Sequence, residues 1–343
     1  MKLLQRLRTL GLAICLAIPV ILLAAVIARF SIAALKRHGV VDPLSIPAAR
    51  LSEKVTSEKV VMSSRIAKLC FVRGDRIYLL NLSTGKETKL IEGKRPDLSP
   101  AGDAVAYMSP ELQGSNDSSQ IKLLDLRTKQ TWNFSTLANL RAFGPRWSND
   151  GTRIAFELIN ADATRLDIGL INPSTGDWQN ITKSVNLGNP AEAVTLDSWV
   201  SGDQSILFHG LENLYEVGLD GTLLQKIPIA SFCSPDSISS GTRFFLSSDR
   251  KYLLFDRIIS TSEDPENEII SIFDLNVKKL SRVTPNTIEA RRPVWLPSQK
   301  EMLFTCLKRF ARPYQPSICK IAIDGTGLTT LVGDGDFASY ATR

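Results

Sequence analysis

The stretch Pro145-Arg-Trp-Ser-Asn-Asp-Gly-Thr-Arg-Ile-Ala-Phe156 decides the fold. It reads as a short apolar segment, a polar turn, and a strand that ends in an aromatic. Ser-Asn-Asp-Gly is turn chemistry: Asn and Asp side chains bond nearby backbone, and Gly takes positive φ without steric cost. The pattern recurs at Pro96–Tyr107, Ser198–Phe208, Phe244–Phe255 and Pro293–Phe304. Its terminal aromatics lie 49, 52, 47 and 49 residues apart.

A second pattern follows each aromatic: an alternating strand, a tight turn, another strand. Its copies begin at Ile77, Ile121, Ile168, Leu214, Ile270 and Ile318. Period-2 alternation of Ile, Leu, Val and Tyr argues for strands, and turns such as Ser-Thr-Gly-Lys and Asp-Gly-Thr supply hairpin chemistry. Each unit therefore carries four strands, A to D. A four-stranded unit repeated every 40–50 residues or so is the signature of a β-propeller. One such sheet cannot bury both faces, whereas blades packed around an axis can. The hairpins count six blades. Blade 1 lacks strand A in the expected place, and residues 337–342 are predicted to supply it, closing the ring with the C-terminus. Val60–Ser64 is a rival for that strand.

These residues resemble the propeller repeats of the TolB family, which also occur in prolyl-oligopeptidase-like peptidases. The resemblance rests on Pro-x-Trp-Ser-Asn-Asp-Gly-Thr-Arg-Ile-Ala-Phe followed by an Ile-x-x-x-Asp-Leu-x-Thr-Gly type hairpin, and covers about residues 67–343. It implies a binding scaffold at the cell surface or in the periplasm. TolB carries an α/β domain before its propeller, whereas only a tether is read here. The peptidases set a hydrolase domain beside theirs, for which this chain has no room.

Charge narrows the partners. The 343-residue chain has 41 Lys and Arg against 35 Asp and Glu, a net charge of +6. Residues 1–38 hold Lys2, Arg6, Arg8, Arg29, Lys36 and Arg37 and no acid, which leaves 35 of each sign in 39–343. The neutral body gives no support for binding a phosphate backbone, so nucleic acid is not expected. Leu10–Ala28 is an unbroken apolar run, nearly long enough for a bilayer core. It reads as an uncleaved anchor or as a signal peptide cut after Ala28. Either reading exports the remainder, and residues 39–58 read as a linker.

Chemistry is sparse. The histidines are His38, on the flank of the apolar run, and His209, which ends strand B of blade 4 and reads as structural. Gly-x-Ser-x-Gly, His-Glu-x-x-His and phosphate-loop motifs do not occur. Asn149-Asp150-Gly151 and Asp334-Gly335-Asp336 read as turns and not as calcium loops. Cys306 and Cys319 flank one strand-to-strand loop. They are small buried residues or, in an oxidising compartment, a disulfide.

Strand alternation puts the A–B and C–D turns on one face and the B–C and D–A connections on the other. The long segments, among them 109–119, 183–197, 228–242 and 307–317, fall in the second set. Long loops on a rigid scaffold are where recognition concentrates. Lys308, Arg309, Phe310, Arg312 and Tyr314, with Arg291 and Arg292 entering the same face, are the predicted binding residues. Trp147, Trp199 and Trp295 are predicted core between blades.

The expectation is thus an all-β, six-bladed propeller with four-stranded blades, preceded by one N-terminal transmembrane helix. Residues 1–38 form the anchor or signal segment, 39–58 the linker and 59–343 the propeller. The expected role is an extracytoplasmic, non-catalytic scaffold for a protein or cell-envelope component, without cofactor or metal. The alternative is a hydrolase or lyase acting on a saccharide or peptide at the propeller channel.

Overall fold

The computed structural model describes residues 67–342, apart from 111–120, 138–139, 160–165, 188–193, 201, 261–266 and 309–314. The apolar run at 10–28, the linker and Val60–Ser64 lie outside the described residues. Among the described residues no helix is long and apolar enough to cross a membrane.

Six four-stranded antiparallel sheets follow one another along the chain. Blade 1 pairs β24 (Asp336–Ala341), β1 (Lys68–Arg73), β2 (Arg76–Asn81) and β3 (Lys86–Glu92). Blade 2 holds β4 (Lys94–Leu98), β5 (Ala104–Met108), β6 (Ile121–Asp125) and β7 (Thr131–Asn133). Blade 3 holds β8 (Arg141–Trp147), β9 (Ile154–Ile159), β10 (Leu166–Ile171) and β11 (Trp178–Asn180). Blade 4 holds β12 (Thr195–Trp199), β13 (Ser205–His209), β14 (Asn213–Gly218) and β15 (Leu223–Pro228). Blade 5 holds β16 (Phe244–Leu246), β17 (Tyr252–Ile259), β18 (Asn267–Asp274) and β19 (Lys279–Arg282). Blade 6 holds β20 (Ile288–Trp295), β21 (Glu301–Lys308), β22 (Ser317–Ala322) and β23 (Thr329–Val332).

Every predicted hairpin is present, and the C-terminus does complete blade 1. Lys68, Leu69 and Cys70 of β1 face Ala341, Tyr340 and Ser339 of β24. Pairing the first strand with the last leaves no open edge at the point where the ring meets itself. The A strands form the inner ring: β24 touches β4, β4 touches β8, and so on through β12, β16 and β20 back to β24.

The core is divided into six apolar layers, one between each pair of neighbouring blades. Blades 3 and 4, for example, bury Ile168, Leu170, Leu196, Trp199, Ile206 and Phe208 together. Blades 6 and 1 bury Leu69, Phe71, Leu303 and Ile318. The repeat aromatics Tyr107, Phe156, Phe208, Phe255 and Phe304 are at most 2% exposed, as is Phe71 at the matching place in blade 1. Burial on both faces explains why B strands read as continuous apolar runs while D strands alternate with solvent. A Cβ on Gly169 would lie 2.4 Å from the Phe156 ring, so the smallest residue makes room for the repeat aromatic. The predicted core tryptophans are 5–8% exposed. Two of them also tie A strands together: Trp199 Nε1 donates to the Arg146 carbonyl at 3.0 Å and Trp295 Nε1 to that of Phe245 at 3.2 Å. Tyr340 takes this position in the last strand and donates to the Trp295 carbonyl at 2.8 Å.

Cys306 and Cys319 form a disulfide across β21 and β22, with Cα atoms 6.0 Å apart. It bridges the base of the 309–316 connection. Cys70 is buried, and burial pushes its thiol pKa up.

Candidate functional site

Aligning the A strands on Leu98, Trp147, Trp199, Leu246, Trp295 and Tyr340 puts one residue of each blade on the axis. Three places earlier stand Arg95, Gly144, Leu196, Arg243, Arg292 and Phe337. These six, with Arg146 and Glu157, line a small axial cavity. Its volume is about 20 Å³, room for roughly one water.

Bulges aim this ring inward. The A-strand register slips between Lys94 and Asp97, Phe143 and Arg146, and Arg291 and Val294. Inside these bulges Arg95, Gly144 and Arg292 have φ of 46°, 63° and 54°, and Phe337 has 55°. A bulge re-aims a side chain at the cost of one ladder pairing. Gly144 is needed for space as well as φ. A Cβ there would sit 3.0 Å from Glu157 Oε2 and 3.4 Å from Arg95 Nη1.

The ring is held by shared carboxylates. Glu157, nearly buried on strand B of blade 3, accepts a hydrogen bond from Arg95 Nη1 at 3.3 Å and from the Leu196 amide at 2.9 Å. Arg243 stands 4.0 Å from the same carboxylate. Asp336 accepts from Arg292 Nη1 at 2.8 Å, Arg291 Nη2 at 3.1 Å and the Thr305 hydroxyl at 2.7 Å. The Arg292 guanidinium also lies 3.8 Å from the Phe337 ring centroid. Asp97 accepts the Trp147 amide at 2.6 Å and faces Arg146 at 3.9 Å.

Burial dominates the electrostatics. It lowers the pKa of Arg95, Arg146 and Arg292, and neighbouring arginines lower them further. It pushes Asp97 up to about 6 against the pull of Arg146 and the Trp147 amide. Asp256, beside Arg243, is likewise pushed up to about 6 by burial.

The predicted binding residues divide. Arg291 and Arg292 are not rim residues. Strand β20 begins at Ile288, ahead of them, and both point to Asp336 of the closing strand. The strand runs through the position before Pro293, with Arg292 in the left-handed region. Lys308 ends β21 exposed, on the predicted face. Arg309, Phe310, Arg312 and Tyr314 lie outside the described residues. Asp336, read as part of a turn, is the hub of the arginine pairs. Arg95, Arg146, Arg243 and Glu157 were missed. Arg95 and Arg243 had a signal, the column three places before the repeat Leu or Trp that is visible when the blades are laid in register; Arg146 and Glu157 stand outside it.

His209 ends strand B of blade 4, as expected. It is buried, with Nδ1 at 2.9 Å from Asp197 Oδ1 and Nε2 at 3.3 Å from the Ser239 carbonyl. Asp197 also accepts the Phe244 amide at 3.0 Å, so the pair joins blade 4 to blade 5. By strand alternation the strands that flank the expected long connections end on one face, and 195–197, 228, 307–308 and 317 within those segments prove to be strand. Turns on the opposite face are short, such as 82–85, 148–153 and 275–278. In one of them Asp203 accepts the Asn149 and Asp150 amides of the preceding blade at 2.9 and 2.8 Å. Asn149-Asp150-Gly151 is therefore the turn it was read to be.

No family model and no curated protein matches the chain. Solved structures do. TolB from Acinetobacter baumannii superposes with a TM-score of 0.58 at 14% identity over 80% of this chain. The chain spans 66% of that protein, just under two thirds of its length. A putative TolB from Agrobacterium tumefaciens gives 0.55 at 15% identity, covering 79% of this chain and 91% of the other. Hydrazine synthase from Kuenenia stuttgartiensis gives 0.58 at 13% identity, over 80% of this chain and 47% of that one. The likeness at these identities is one of fold: this chain is a six-bladed propeller similar in fold to that of TolB.

Proposed function

We propose that the protein is a binding scaffold, held outside the cytoplasm by its N-terminal segment, that takes a protein or cell-envelope component on the face carrying the long connections. One observation carries the reading. The axis is filled by arginine–carboxylate pairs around a cavity of about 20 Å³, while the strand ends that lead into the B–C and D–A connections, such as Met108, Ile159, Ile259 and Lys308, fall on one face by the alternation of the strands. Recognition by loops on a rigid frame fits that division. The Cys306–Cys319 disulfide supports placement in an oxidising compartment, because such bonds persist there and are rare in the cytosol. A hydrolase or lyase acting in the channel would first need the arginine ring to part.

The test replaces 309–314 by Gly and Ser, leaving Cys306 and Cys319 in place. Partner recovery from the envelope fraction is then compared with that of a variant altered in the opposite-face turn at Ser83–Gly85. Loss with the first variant and not the second is expected. Full recovery with the first would remove this loop from the interface.

A further inference from the structure

At the cavity wall guanidinium groups outnumber carboxylates, with Asp97, Asp256 and Asp336 standing behind them. Four guanidinium groups and one carboxylate line the axial cavity. Arg95 is hydrogen-bonded to Glu157, and Arg292 to Asp336. Arg146 and Arg243 reach a carboxylate only at 3.9 and 4.0 Å, beyond a hydrogen bond. Arg243 Nη1 donates instead to the Ser240 and Thr242 carbonyls. Among the described residues the Arg146 guanidinium makes no hydrogen bond.

Stacking like charges in a partly buried site is unfavourable unless a counter-charge joins them. Burial lowers the basicity of Arg95, Arg146 and Arg292, and the neighbouring arginines lower it further. The backbone adds to the cost. Arg95 and Arg292 are non-glycine residues at positive φ, each preceding a proline, and strain of this kind concentrates where geometry serves a ligand.

We propose that this ring binds one compact oxyanion, a single carboxylate or phosphate group held on the propeller axis by Arg95, Arg146, Arg243 and Arg292. Guanidinium forks suit this chemistry, because each offers paired N–H donors to paired oxygens. The cavity as it stands admits one oxygen of such a group and not a whole metabolite. Two sources share the chemistry: a free ion, or a carboxylate at the tip of a partner's side chain or C-terminus. The site stands whether or not the long-connection face takes a partner.

The test is calorimetric titration of the propeller with inorganic phosphate and with acetate at constant ionic strength, with sodium chloride as reference and a parallel thermal melt. Binding above the chloride reference is expected. Arg146→Gln should weaken it about tenfold, the scale of one lost charged hydrogen bond. Arg146→Lys keeps the charge without the fork and should fall between. Arg127→Gln, at an exposed turn, should change nothing. Glu157→Gln keeps an oxygen for the Leu196 amide but removes the competing charge, so it should tighten binding several-fold. A merely structural role for Glu157 predicts no such gain. Preference for phosphate assigns a free ion, and preference for acetate a partner's carboxylate. No response above chloride overturns the proposal, as does a response that Arg146→Gln and Glu157→Gln both leave unchanged.

Discussion

Removing the Asp336 carboxylate should loosen the closure of the ring far more than removing its neighbour at Asp334. Asp336 is 17% exposed and joins Arg291 and Arg292, which are 19% and 28% exposed, to the closing strand. It also accepts the Thr305 hydroxyl and the Phe337 amide. Breaking a fully buried charge pair by removing one partner costs about 3–5 kcal/mol. The residual exposure here, and the contact of Arg291 with Glu268 at 3.8 Å, reduce the expected loss for Asp336→Ala to roughly 2–4 kcal/mol. Asp336→Asn keeps acceptors for Thr305 and Phe337 and should lose about half as much. Asp334 is 46% exposed and 3.6 Å from Arg73, so Asp334→Ala should cost under about 1 kcal/mol. Urea denaturation reads these as midpoint shifts at constant slope, and the melting temperature of Asp336→Ala should fall on the order of 10 °C. Equal losses at Asp334 and Asp336, or less than about 1 kcal/mol at Asp336, would refute the assignment of Asp336 as the hub of closure.

Buried Asp256 gives a pH signature. Its folded pKa of about 6 exceeds the unfolded value, so the folded state holds the proton more tightly. Its contribution is greatest below the unfolded pKa and is lost as pH rises to about 6, by about 3 kcal/mol. Asp256→Asn should remove that fall, read as the difference between the two stability–pH curves; parallel curves would contradict it. Reducing the Cys306–Cys319 bond, which spans 13 residues, should cost about 3 kcal/mol. Thermal melts with and without reductant read this, and coincident melts would show that the bond does not constrain the fold. Gly144→Ala should cost about 1–2 kcal/mol, from positive φ and from crowding of the Glu157–Arg95 pair. An unchanged denaturation midpoint would show that neither limits the ring.

The fold was legible because its determinants are local. Each hairpin carries its own alternation and turn glycine, and each blade its own aromatic. The missing strand of blade 1 was legible by default, since one hairpin lacked an inner partner and one terminus lacked a use. The axial site was not legible, because it is assembled one residue per blade. Arg95 and Glu157 stand 62 residues apart and meet only when blade 2 packs on blade 3. Arg291 and Arg292 were found but misplaced. Proline suggested that a strand starts at 293, whereas a bulge with left-handed Arg292 carries the strand back to Ile288. Asp336 looked like turn chemistry because Gly335 precedes it, and its role depends on blade 6, which no local pattern reveals.

Site-specific photo-crosslinking tests the central claim, recognition on the long-connection face, most directly. A photoreactive residue is placed at exposed Lys308 on that face and at exposed Ser83 on the opposite one, in the full chain in its native host cells. Crosslinks to a discrete partner from position 308 and not from 83 are predicted. Crosslinks from 83 alone, or equally from both, would contradict the account.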